Sequence, residues 1–528
     1  MRAPGAATTI SLAALAVGAL LALAPSAGTT SKAWTLRVAV SFGSSPVDPA
    51  LGPQGPLGGD LVCANLYHTS DAAGAHGGHV VPEVASGPPR ISAHGRRYTF
   101  TIRRGFRFAR TGAPVRAASF AAAINRVLDP RMRSTGAIWV QDVVGADRVQ
   151  AGQAKTVSGI RYHGDTLAVT LKKPAPDLPA RLALVFFCAI PVNTPHDPNG
   201  VTPPTAGPYY VSHLDANTEV LRRNPYYRGD RPRHPANIVY KFSQPLNAIP
   251  LEIERGEVDT GVVLFVPEAD AKQYPKLFHV ATGIIVTCLA LNNDRPLFKN
   301  NLRLRKAVNY AIDRKALDQQ FGYPPLRPTD QYLAAAMPGF NDARIYPFKP
   351  NLKKARALAR GHLGSGQAIM YYRNSSPTAL ARARIVQYDL SRIGLSVELK
   401  GPTGGAAGNR GEPFDIVDIG CVFPGYVDPF AILDPSFDGR TIKATGNTDV
   451  AYFNDPKFNR RLAAASRLSG RARYRAYGKL DVDLARDGAP AAAYGMARQT
   501  AFVSPRIGCV RLNPVQGLVF GALCLKRP

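Results

Sequence analysis

No Cys-x-x-Cys pair occurs in this 528-residue chain, so its six cysteines build neither a zinc knuckle nor a dithiol redox motif. Gly-x-Ser-x-Gly, His-Glu-x-x-His, a Ser-x-x-Lys set with its partners and a phosphate loop are all missing, which removes the common hydrolase and nucleotide-binding signatures. Acidic side chains are few, 37 against 65 basic ones, giving a formal net charge of +28. Yet no run of five or more basic residues occurs. The excess therefore reads as a solvated basic surface, and the partner it favours is an anionic cell envelope, not nucleic acid. Beyond residue 24 no stretch reaches the ~18 apolar residues of a membrane helix. There is no internal repeat and no sustained heptad pattern, so neither a repeat array nor a coiled coil is expected.

What is present is a folded-protein composition, 45% hydrophobic and 19% charged, in a chain long enough for large cores. Arg2, an apolar run from Ile10 to Ala24 and small residues at 25–28 have the form of a secretory signal, cut near Ser26 to Gly28 and spanning about residues 1–27. An uncleaved anchor is the alternative. No Cys follows the cut, so lipid attachment is not expected, and the mature protein is extracytoplasmic. That compartment permits disulfides, and six cysteines (Cys63, Cys188, Cys288, Cys421, Cys509, Cys524) allow 15 pairings.

The patterning is mixed α/β. Residues 35–41, 98–102 and 166–172 alternate as strands. Phe120, Ile124, Val127 and Leu128 share one helical face that Asp129-Pro130 closes. A helix over 379–393 ends at Gly394, and 395–399 alternates again. His76-Gly-Gly-His79 is read as a glycine-rich loop, since two histidines without nearby acids or thiols fall short of a metal site.

The run from Asn300 to Arg314 is the most specific segment. Asn301 is an N-cap, and Leu304, Val308, Ala311 and Ile312 form one apolar face. Arg303, Arg305 and Lys306 crowd the first turns, where the helix dipole does not favour cations, so their charges are expected to serve something else. This run resembles a signature of the extracytoplasmic solute-binding proteins of peptide, oligopeptide and nickel ABC importers (family 5). Further segments resemble that family in its order: Leu66-Tyr67 with 81–85, Gly95 to Phe108, Thr205 to Tyr209, Arg223 to Gly229, Gly256 to Asp259, and Asp428-Pro429.

The resemblance implies a non-enzymatic binding protein of two α/β lobes joined by a hinge, the type II periplasmic-binding-protein-like fold with an extra subdomain. Lobe I would comprise 34–280, with an inserted subdomain at about 63–189. Lobe II would be 281–497, and 498–528 would return to lobe I. Ligand would lie in the cleft, contacted by Tyr67, Asn292, Arg303, Arg305, Phe423, Tyr426 and Asp428, with the two arginines clamping a carboxylate or phosphate. No cofactor or metal is expected. The partners are a small or peptide-like solute and a membrane permease, with the chain itself a monomer. Within such lobes Cys63–Cys188, Cys288–Cys421 and Cys509–Cys524 are the expected pairs, because a bridge between lobes would oppose closure. One departure concerns specificity. Gly425 stands where many peptide binders carry the Asp that holds the ligand's ammonium, so poor binding of ordinary di- and tripeptides is expected, with Phe423 and Tyr426 favouring a ligand of apolar or ring-stacking surface; the opposing possibility is that Asp428 or Asp418 supplies the missing carboxylate. The rival readings are an exported sensor and an exported hydrolase built on Asp415, Asp418, Asp428 and Asp434.

Overall fold

A computed structural model describes residues 34–43, 48–52, 59–199, 202–262, 266–402, 405–418, 421 and 424–526. The expected signal at 1–27 and the ligand candidate Phe423 lie outside the described residues.

The chain starts with strand β1 (Thr35–Val40). A small four-stranded antiparallel sheet comes next, made of β2 (Arg90–Ser92), β3 (Arg97–Thr101), β4 (Ile160–His163) and β5 (Thr166–Thr170) in the order β2-β3-β5-β4. Helix α1 (Ala117–Leu128) packs on it with Phe120, Ile124 and Val127 against Tyr98, Phe100, Leu167 and Val169, the apolar stripe and inward strand face that the periodicity predicts. The chain then builds β6 (Tyr209–Leu214), β7 (Thr218–Arg223), β8 (Asn237–Lys241), β9 (Thr260–Val262) and the 14-residue β10 (Phe278–Leu291). The second half contributes helix α2 (Leu302–Ala311), β11 (Gln367–Tyr371), α3 (Pro377–Ser391), β12 (Ser396–Lys400), β13 (Ile416–Asp418), α4 (Phe430–Phe437), α5 (Pro456–Ser466), α6 (Gly470–Asp483) and the 13-residue β14 (Ala491–Val503).

These strands form one 11-stranded sheet, β12-β11-β13-β10-β14-β9-β1-β8-β7-β6, with Arg327–Pro328 pairing β14 off that path. The fold is α/β and two-lobed, and β10 and β14 run through both halves. Their pairing is irregular between Thr282 and Val286 and again between Thr287 and Cys288. One set of cores gathers around β1, β8 and the small sheet; another lies around α2, α3 and the later helices. The three disulfides are Cys63–Cys188, Cys288–Cys421 and Cys509–Cys524, with Cα separations of 5.2, 5.5 and 5.5 Å. Cys421 reaches Cys288 because its backbone N–H donates to Val286 on β10 at 3.2 Å.

Candidate functional site

Strand direction creates the crevice. β9 and β10 both run antiparallel to β14, with Gly261 and Phe278 each opposite Phe502. β13 runs the other way along β10, Asp418 facing Leu289 and Ile416 facing Leu291. The C-terminal ends of the parallel set β8-β1-β9 therefore face those of the parallel set β12-β11-β13. Roughly 35 Å of β10 lies between the two levels, at about 3.3 Å per residue. Open α/β sheets bind ligands outside the carboxyl ends of their strands, and here two such ends meet over one span.

The signature run lies away from this crevice. Asn301 caps α2 as expected, accepting from the Leu304 N–H at 3.2 Å. Arg305 is buried, and its guanidinium donates to the carbonyls of Phe298 (2.7 Å) and Gly488 (3.0 and 3.2 Å). Arg314 is fully buried and donates to the carbonyls of Asn309, Thr329, Pro347 and Ala493. Burial pushes both guanidinium groups down to about 10. These cations tie α2 to β14 and to the segment before it. The expected anion clamp is corrected on that ground: Arg305 is spent on backbone carbonyls, and Arg303 is exposed, reaching only the Ala357 carbonyl at 3.5 Å. Two further candidates are also engaged within their own cores. The Asn292 amide donates to the Phe414 carbonyl (3.0 Å), and the Tyr67 hydroxyl donates to the Gly87 carbonyl (2.6 Å).

Tyr426 and Asp428, by contrast, are brought together at a junction between the halves of the molecule. The fully buried Tyr426 ring stands edge-on to Trp139 at 5.5 Å, and its hydroxyl donates to Asp177 at 2.8 Å. Asp177 also accepts from Arg181 at 2.8 and 3.1 Å, and Arg473 lies 3.5 Å away. Arg473 donates to both oxygens of Asp428, at 2.8, 3.0 and 3.2 Å. Burial alone would raise the Asp177 carboxyl, but Arg181 and Arg473 outweigh it and hold the group below its ordinary value. At Asp428 burial prevails over Arg473 and holds the carboxyl above it. Gly425 belongs to the same junction: a Cβ there would press into Leu184 Cδ2. Gly78 sits just as closely against Val427.

Neither acid weighed as a substitute for the ammonium-binding Asp has a carboxylate oxygen without a partner. Asp428 is saturated by Arg473 and the Phe430 N–H, and Asp418 by Arg382 and Tyr494. Asp415 is held by Arg295 and the Ile369 N–H. Sequence reasoning missed Trp139, Asp177, Arg181 and Arg473. The available signal was an Arg at the start of an apolar helical face, as Arg473 on α6 is ahead of Tyr477, Leu480 and Leu484, since such a charge needs a buried partner. Beside this junction lies a pocket of about 80 Å³ between the segments 138–181 and 430–448, lined among others by Trp139, Asp142, Lys173, Phe430, Asp434 and Lys443.

Two α/β halves with opposed strand ends, crossed by two long strands, define the class of two-lobed binding proteins. The chain belongs to the bacterial extracellular solute-binding proteins, family 5, whose model, described as "Bacterial extracellular solute-binding proteins, family 5 Middle", matches residues 79–444. It is similar to the nickel-binding periplasmic protein of Escherichia coli (strain K12), 24% identical over 346 residues that cover 61% of this chain and 63% of that protein. It is also similar to the oligopeptide-binding protein OppA of Bacillus subtilis (strain 168), 26% identical over 278 residues, 49% of this chain and 50% of that one. The chain thus spans between half and two-thirds of the length of these relatives. Among solved structures it resembles clavulanic acid biosynthesis oligopeptide binding protein 2, with TM-score 0.84 and 21% identity over 93% of this chain and 95% of that one. DppA from Helicobacter pylori, in complex with peptide STSA, gives a TM-score of 0.75 at 20% identity, covering 93% and 98%. At these identities the structural likeness is one of fold. Among the described residues no helix is long and apolar enough to cross a membrane, and no group of three or more His, Cys, Asp or Glu is placed to hold a metal ion.

Proposed function

We propose that this chain is the extracytoplasmic solute-capturing component of an ABC importer, enclosing a peptide-like or other small solute between its lobes. The observation that carries this reading is the opposition of two sets of parallel-strand ends across β10 and β14. The lobes are 34–280 with a subdomain at about 63–189, 281–497, and the return at 498–528. They hinge where the β10–β14 register breaks between Thr282 and Val286. Closure brings the 424–430 loop against Trp139, Asp177 and Leu184, so Tyr426 serves the closed state through its contacts with the other lobe, and Asp428 serves it by holding Arg473 3.5 Å from Asp177. Arg303, Arg305, Asn292 and Tyr67 leave the ligand-contacting set. Phe423 remains in it by its place between Cys421 and Tyr426.

The relatives' names offer oligopeptides and nickel as cargo. The pocket chemistry favours an organic solute, since aromatic and mixed polar side chains line it. The partners are a membrane permease and, through the +28 charge, an anionic cell envelope, with the protein exported by a signal that lacks a lipid-attachment Cys. Small-angle scattering tests the reading. Protein unfolded and refolded free of solute should show a larger radius of gyration than protein saturated with the solute that native mass spectrometry identifies on freshly purified material. An unchanged radius at saturation refutes it.

A further inference from the structure

Every buried carboxylate in a protein needs donors or it loses its charge. The acids around the junction fall into two groups. Asp177, Asp415, Asp418 and Asp428 have both oxygens engaged. Asp438 is engaged by Arg440. Two acids of the pocket are different. Asp142 gives one oxygen to Arg181 at 2.9 Å, while its Oδ1 is buried without a hydrogen-bond partner. Asp434 is only 5% exposed and accepts from the Tyr477 hydroxyl at 2.7 Å through one oxygen.

These two open carboxylates come from opposite sides of the pocket, one from the segment 138–142 and one from α4, so their surroundings complete only when the lobes meet. Trp139 and Phe430 flank them. The pocket's cations differ in depth: Arg181 is buried in its wall and already committed to Asp177 and Asp142, Lys173 is half-buried and Lys443 exposed, so the open acceptors lie deep and the lysines nearer the mouth. A side chain at Gly425 would have to displace the Leu184 Cδ2 methyl that occupies its Cβ position.

We propose that Asp142 and Asp434 receive a cationic group of the solute, an ammonium or guanidinium, in the pocket walled by Trp139 and Phe430. This rests on the solute-binding reading above and names the class of solute. The cation supplies the donor that Asp142 Oδ1 lacks. It also supplies the charge that Asp434 needs to stay ionised, since burial pushes that carboxyl up to about 7 against the pull of Tyr477 and Lys173. The basic mouth suits an anionic group at the solute's other end, so a zwitterion such as a short basic peptide fits both ends.

The test uses the full mature chain, stripped of solute, and matched tetrapeptides that contain arginine or citrulline, and lysine or norleucine, at each position in turn. Calorimetry should show the cationic member binding about tenfold or more tighter than its neutral isostere, the scale of a charge-assisted hydrogen bond. Asp434→Asn keeps an acceptor for Tyr477 and should bring that ratio close to one; Asp142→Asn should do the same. Circular dichroism and melting establish that each variant is folded, and Asp434→Asn alone suffices if Asp142→Asn is not. Equal binding of charged and neutral peptides overturns the proposal, as does a preference that survives Asp434→Asn, or the absence of binding by every cationic peptide. The solute retained on purified protein separates this failure from that of the function itself. A captured neutral or purely anionic compound that compacts the protein leaves the function standing and refutes the cation pocket. Absence of any compacting solute refutes the function.

Discussion

Replacing Arg473 by Met removes a buried cation that pairs with Asp428 in its own half and stands 3.5 Å from Asp177 of the other. Its guanidinium is 2% exposed, makes three contacts of 2.8–3.2 Å to Asp428, and donates to the Ser466 carbonyl at 2.7 Å. Asp177 keeps Arg181 and Tyr426, so the loss falls on Asp428. Stripping one partner from a buried ion pair costs about 3–5 kcal/mol, because the remaining charge is left without compensation. The double variant Asp428→Asn/Arg473→Met leaves no such charge and should recover at least ~2 kcal/mol of that. The pH dependence has a definite sign. The Asp428 carboxyl already lies above its ordinary value, and without Arg473 it rises further, so the protonated form dominates at low pH. A raised carboxyl contributes its stability at low pH and loses it as pH rises through the folded value, so Arg473→Met should be most damaging at pH 8 and mildest at pH 5. Trp139 stands 5.5 Å from Tyr426 and reports on this contact. Urea unfolding followed by its fluorescence, in a Trp34→Phe background, at both pH values, gives the numbers. A cost under about 1 kcal/mol at pH 8, or a double variant no more stable than the single one, would refute the reasoning.

Gly425→Asp should fail to create ammonium binding. It should lower the melting temperature, because its Cβ meets Leu184; Leu184→Ala in the same chain should restore stability, and calorimetry with free and N-acetylated peptides checks the binding half. Glu219 is fully buried, neither carboxylate oxygen has a partner, and burial pushes it up to about 8; Asp318 lies at about 8 and Asp481 at about 7 for the same cause. Their contribution is complete below pH ~4 and is lost as pH rises to 7–8, so melting temperature should fall between pH ~4 and ~8. Glu219→Gln should flatten part of that fall, and an unchanged profile would count against it. Removing the Cys63–Cys188 bridge, which closes 125 residues, should cost about 2–5 kcal/mol, whereas the 15-residue Cys509–Cys524 loop should cost less. Melting of the two paired Ser variants decides the order.

The elements themselves were legible from local chemistry. Phe120, Ile124, Val127 and Leu128 repeat at helical spacing, and α1 appears over Ala117–Leu128 with that face buried. The Asn301 side chain is short enough to reach only the first turn of α2, and it caps the Leu304 N–H there. Gly394 stops the helix after α3 because the chain there takes φ +90°, which other residues resist. The order of motifs along the chain, read by resemblance, placed the cysteines in compatible pairs, and the three bridges form as expected. Spacing alone carries no information about which distant group answers a charge. Arg305 looked free to bind an anion because its partner, the Gly488 carbonyl, lies 183 residues away. Tyr426 looked like a ligand-facing ring until the fold set Asp177, 249 residues distant, against its hydroxyl. Periodicity is a property of a dozen neighbouring residues, and the sequence determined the helices, strands and caps through it. The fate of each buried charge was decided by tertiary structure, because a desolvated charge is stabilised only by whichever donors and acceptors the folded chain brings within about 3 Å.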